Sequence, residues 1–144
     1  MISPVVSVGL TQSMLTRSVL RKIARARLQD AGVLFRGRRY DGAVYLCGYA
    51  VELALKARIC TVLCWSGFPS TQAEFRGLQS FKAHELDMLL RLAGRDAKIR
   101  ASYSADWSVV ARWDPETRYR PVGSANLSAA DAMVGSRDRL LRVL

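Results

Sequence analysis

From Leu20 onward hydrophobic residues recur at spacings of three and four: Leu20, Ile23, Ala24, Leu28, Ala31, Leu34 and Phe35 share one side of a helical wheel, while Arg17, Arg21 and Arg25 line the other. This period predicts an amphipathic helix over residues 12–36 with a cationic outer face. The preceding residues 1–10, with Pro4 and an alternation of valines, read as a short N-terminal arm, and residues 11–144 as one helical domain. Arg36-Gly37-Arg38-Arg39 stops the first helix, and Asp41 is placed to cap the next. From Ala43 to about Trp65 the chain is apolar nearly all round, the pattern of a central buried helix.

Ser66 to Ser70 breaks this rod, and residues 71–79 predict one short helix. His84 to Leu92 forms a clear amphipathic helix with Leu86, Leu89 and Leu90 inward and Gly94 as its stop. Residues 95–112 are helix-compatible with a weaker pattern, and residues 113–126, with Pro115, Pro121 and Gly123, read as a structured loop rich in Arg and aromatics. Ser128 is expected to cap a last helix, residues 129–144, with Met133, Leu140 and Leu141 inward. The fold class is all-α, an antiparallel bundle of four to five helices.

Composition sharpens the picture. The 144 residues suit one domain, and 50% hydrophobic with 24% charged residues is globular rather than disordered. Lys plus Arg total 22 against 12 acids, a net charge of +10, and residues 1–40 carry eight of those cations against Asp30 alone. Such a chain attracts phosphates or acidic partners. Arg outnumbers Lys, 18 to 4; the guanidinium fork suits phosphate, although a G- and C-rich genome produces the same bias. Cys47, Cys60 and Cys64 read as small buried hydrophobes of a reducing compartment, and a single His leaves no set of zinc ligands. Residues 1–10 lack the basic start of a signal peptide, and Glu52, Lys56 and Arg58 interrupt the best apolar run. A cytoplasmic protein with no metal or cofactor is expected.

Three groups of residues carry candidate chemistry. Tyr45, Tyr49, Glu52 and Lys56 form a polar strip along the central helix, with Glu52 one turn before Lys56 in the favourable order for an ion pair; it reads either as an internal pair or as the wall of a site. In the loop, Trp113 and Tyr119 are candidates for base stacking and Arg112, Arg118 and Arg120 for phosphate contacts, or else the aromatics fix the loop on the bundle. The stripe Arg17, Arg21, Arg25 sets like charges one turn apart, which an anionic partner would relieve.

The run from Arg39 to Ala57 (RYDGAVYLCGYAVELALKA), followed by Ala83-His84-Glu85-Leu86 and then Trp113 with Arg118-Tyr119-Arg120-Pro121, resembles the HEPN family of prokaryotes over roughly residues 15–143. The resemblance implies a homodimeric bundle of four or five helices, often encoded beside a nucleotidyltransferase-type partner in toxin–antitoxin or defence modules. Many members are metal-independent ribonucleases marked by Arg, four to six residues, then His. Here the lone His84 follows Arg76 with seven residues between, a departure from that signature. Two functions therefore stand: a dimeric module protein that binds RNA, a nucleotide or a cognate partner through the Arg stripe and the loop, or a metal-independent endoribonuclease toxin using His84 with Arg76 or a nearby Arg from either subunit. A subunit serving only assembly is a third.

Overall fold

The period that starts at Leu20 becomes helix α1, Arg17–Arg36, in the computed structural model, which describes residues 15–144. Thr16 caps it, its hydroxyl accepting from the Val19 amide at 3.2 Å, so α1 begins later than residue 12. Such a cap contributes about 1 kcal/mol. The expected arm at residues 1–10 lies outside the described residues. Arg38 (φ 61°), not Gly37, takes the left-handed conformation that reverses the chain. Helix α2, Tyr40–Val62, then runs back along α1; Leu20, Ala24 and Ala31 of α1 are buried in the core that α2 shares.

Most positions of α2 from Ala43 to Cys60 are buried, as its all-round apolar pattern requires of a central rod. Cys47 and Cys60 are buried with it, but Cys64, just past its end at φ 54°, is exposed, correcting the expectation that all three thiols pack inside. Residues 71–79 form turns instead of the expected helix, ending in the single 3-10 turn Gln79–Phe81. The aromatic residues Trp65, Phe68, Phe75 and Phe81 hold this segment, with ring centroids 4.8–6.3 Å apart. An isolated antiparallel bridge between Thr16 and Gly67 ties it to the start of α1.

Three short helices follow: α3 (Leu86–Leu92), α4 (Asp96–Ser102) and α5 (Ser104–Val110). The helix-compatible stretch 95–112 bends at Tyr103, whose backbone leaves the helical region (φ −132°, ψ 25°), so that Ile99 on one piece and Trp107 on the other both reach the core. Helix α6, Leu127–Leu141, is capped by Asn126 rather than Ser128, the Asn side chain accepting from the Ala129 amide at 2.8 Å. The fold class is all-α, as expected, with six α-helices among the described residues because the stretch 95–112 divides in two. Among the described residues no helix is long and apolar enough to cross a membrane.

Buried Arg137 locks α6 to the first two helices. Its guanidinium donates to the Leu28 carbonyl at 3.4 Å and approaches Cys47 Sγ at 3.6 Å, with Asp138 as its counter-charge at 2.6 Å. Burial pushes the Cys47 thiol up in spite of this neighbouring cation.

Candidate functional site

Asp41 sits on the first turn of α2 but does not cap it. Its two carboxylate oxygens instead accept from the backbone amides of Gly123 and Ala125, each at 2.7 Å, bridging more than 80 residues of sequence. These two amides, and then the charge of Arg39, hold the Asp41 carboxyl below its ordinary value. The clasp fixes the loop after α5 against the start of α2, and a groove of about 560 Å³ opens between them, bounded by α5 and α6. That volume lies within the range of small-molecule sites.

The floor of the groove is apolar, with Val44, Val109 and Met133, while Arg112, Arg118 and Arg120 stand at its rim. Tyr45 supplies an aromatic wall. Arg118 lies over the Tyr119 ring at 4.9 Å, and the phenol oxygens of Tyr119, then of Tyr45, raise its pKa above the ordinary guanidinium value. Arg120 has only a distant carboxylate, Asp114, at 3.9 Å. Apolar floor and cationic rim together offer one surface to a ring and another to a phosphate.

Trp113 does not present a face to this groove for stacking. It is 5% exposed, and it lies so close over α2 that a Cβ on Gly48 would stand 2.1 Å from its Cγ. Base stacking by Trp113 is corrected to core packing: the indole fills the notch that a residue without a side chain leaves on α2. Tyr119, 71% exposed, remains the accessible ring of the loop.

The polar strip divides between two places. Tyr45 lines the groove and stacks on Tyr49, ring planes 6° apart at 6.4 Å; burial, then the Glu52 charge, push the Tyr49 phenol up. Further along α2, Glu52 is 3% exposed and meets Lys56 at 3.7 Å and His84 Nδ1 at 2.5 Å. Lys56 also covers the Phe68 ring at 5.2 Å. His84 does not open α3; it lies in non-helical chain two residues before Leu86, next to the N-cap Glu85. Arg76 is exposed in the preceding turns, and no hydrogen bond or ion pair joins it to His84. The pairing of His84 with Arg76, one form of the ribonuclease alternative, is not formed within the chain.

The Arg stripe of α1 is exposed as its pattern predicts. Arg17 donates to Thr61 Oγ1 at 3.2 Å, and Arg25 Nε to the Arg21 carbonyl at 3.4 Å.

Against known families, residues 18–71 match the HEPN domain. The match covers α1, α2 and the start of the loop beyond them, so the cationic helix, the Glu52–Lys56 pair and the Asp41 end of the groove lie within the HEPN segment, while Arg112, Arg118 and Arg120 come from the part that follows it. No curated protein and no solved structure matches the chain.

Residues that sequence patterns passed over complete the picture. Val109 was passed over, and Met133 was read only as an inward residue of the last helix; nothing in their spacing separates a groove floor from a packed interior. Asp41 looks like a cap because Asp is favoured there. Arg137 shares its helical face with Met133 and Leu140, and that position was the available signal for its burial.

Proposed function

We propose that this HEPN protein binds RNA or a nucleotide in the groove between α2, α5 and α6, as a homodimer within a toxin–antitoxin or defence module. HEPN domains are nucleotide- and RNA-related. The observation that carries the reading is the groove itself: three arginines rim an apolar floor with an aromatic wall, the complement of a phosphate joined to a base. A nucleotidyltransferase-type partner encoded with it fits the same reading, since such a partner works on the nucleotide chemistry this rim selects.

The test is binding of a fluorescently labelled single-stranded RNA, with ATP as competitor, across a series of salt concentrations. Charge reversal by Arg112→Glu with Arg118→Glu lowers affinity by at least about tenfold, since each lost charge-assisted contact is worth roughly 1.5–3 kcal/mol. With two phosphate contacts gone, the slope of log K against log salt falls by about 1.4 for a single strand. Unchanged affinity and slope in the double variant would overturn the groove as the binding surface.

Glu52 favours a second reading. A buried carboxylate accepting from Nδ1–H fixes the His84 tautomer and leaves Nε2 as a base on a side chain that is 58% exposed. That is half of an acid–base apparatus for drawing a proton from a 2′-hydroxyl. On this reading the protein cleaves the same RNA without metal, and His84→Ala removes cleavage while the protein stays folded, at a cost of about 1–3 kcal/mol for the acceptor it leaves on Glu52. Cleavage that survives His84→Ala, or is absent in the parent, rejects it.

A further inference from the structure

Where the end of α6 passes α1 and α2, a second hollow of about 310 Å³ is lined by Arg21, Arg25 and Arg58, with Leu28, Leu141 and Leu144 among its apolar walls. It lies at the opposite end of α2 from the groove. Arg58 comes from the otherwise apolar face of α2, and burial followed by the charges of Arg95 and Arg21 pulls its guanidinium below the ordinary value. Nε of Arg58 and Nε of Arg95 are both buried without a hydrogen-bond partner.

Among the described residues none of Arg21, Arg25, Arg58 and Arg95 has a carboxylate within 4 Å, and residues 1–14 contain no Asp or Glu that could supply one. No Asp or Glu lines the hollow, and Asp87 and Asp96 are paired with Arg100, Asp106 with Arg139 and Asp138 with Arg137. Four like charges brought together, two of them with buried unsatisfied donors, form an arrangement that folding alone does not favour. A compact anion carrying two or more charges removes the repulsion and supplies the missing acceptors.

The size and walls of the hollow narrow the choice. It is too small for a protein segment with its own secondary structure, and only its arginine side offers donors. Guanidinium forks match the paired oxygens of a phosphoryl group, and the leucine side accommodates the organic part of an ester. We propose that Arg21, Arg25 and Arg58, with Arg95 beside Arg58, form a phosphoryl-binding site, separate from the groove, for the terminal phosphate or diphosphate of a nucleotide or of an RNA 5′ end.

Inorganic pyrophosphate, added to the full chain at low salt, is the probe, read by thermal unfolding and by calorimetric titration. Saturable stabilisation of several degrees is the expected result. Arg58→Gln weakens pyrophosphate binding by about tenfold or more and raises the melting temperature of the anion-free protein, because it removes repulsion; the same loss of binding is expected when Arg58→Gln is made in the Arg112→Glu, Arg118→Glu background, where the groove's phosphate contacts are already gone. Should Arg58→Gln not fold, Arg21→Gln with Arg25→Gln, on the exposed face of α1, carries the same expectation for binding. No stabilisation by pyrophosphate, or a response that persists when these arginines are replaced, overturns the site. Competition with ATP, and with RNA of one sequence bearing a 5′-phosphate or a 5′-hydroxyl, assigns the source. ATP displacing pyrophosphate points to a free nucleotide, selective displacement by the 5′-phosphorylated RNA points to an RNA end, and displacement by neither rejects the proposal.

Discussion

Gly48→Ala destabilises the protein by about 3 kcal/mol or more, even though alanine is the better helix former by roughly 1 kcal/mol. The new methyl group would lie 2.1–2.3 Å from three indole atoms of Trp113, and none of these is the far end of a flexible side chain. The ring cannot slide away at low cost: it is buried and bears on Tyr45, with ring centroids 6.0 Å apart. For a chain of this length the expected loss in melting temperature is about 10 °C. Trp113→Ala alone costs about 3–5 kcal/mol. The decisive measurement is the double-mutant cycle: with Trp113 already alanine, Gly48→Ala becomes neutral or stabilising, because only the helix-propensity gain remains. A Gly48→Ala protein within 1 kcal/mol of the parent would show that the indole is not seated in this notch.

Glu52→Ala has an effect of similar size for a different reason. The substitution leaves Lys56, only 12% exposed at its side chain, with the face of Phe68 at 5.2 Å as its remaining compensation. Breaking a buried pair by removing one partner costs about 3–5 kcal/mol, whereas replacing both partners by apolar residues of similar volume is close to neutral. Chemical denaturation of Glu52→Ala, of Lys56→Met and of the pair Glu52→Leu with Lys56→Met separates these cases. The expected order is a large loss for each single variant and recovery for the double. Equal and small losses throughout would mean that water reaches the pair. His84 is itself exposed but is the nearest partner of the buried Glu52 carboxylate, so its removal costs about 1–3 kcal/mol, less than the loss of Glu52 or Lys56.

Periodicity made the helices legible where each buries one face against a partner. The three-and-four spacing of α1 and the unbroken apolar run of α2 follow directly from how those helices pack, and the motif-bearing stretch from Arg39 to Ala57 lies in the matched HEPN segment. Legibility fails where a residue is governed by something far away in the chain. Residues 71–79 have helical composition, but the aromatic cluster around Phe68 and the turn at Gly77 (φ 76°) organise them instead. Trp113 reads as a stacking residue in a polar loop because its seat, Gly48, is 65 positions earlier and carries no side chain to announce it. The candidate site divides in the same way. Arg112, Arg118 and Arg120 were visible as a basic loop, yet their meeting with Val44 and Met133 depends on the Asp41 clasp, which looks like an ordinary helix cap. Glu52 and Lys56 were visible as a pair; the third member, His84, was visible only as a lone histidine.

The Asp41 clasp also sets an order of events during synthesis. α1 and α2 form a hairpin whose contacts are local enough to arise while the rest of the chain is still being made. The groove has no such independence: its clasp is unmade until Gly123 and Ala125 have been added and brought back across the bundle. Until then its arginine rim does not exist as a surface, so a ribosome-bound nascent chain that has folded its first two helices still lacks the groove. The chain thus assembles close to abundant ribosomal RNA without presenting a completed groove to it.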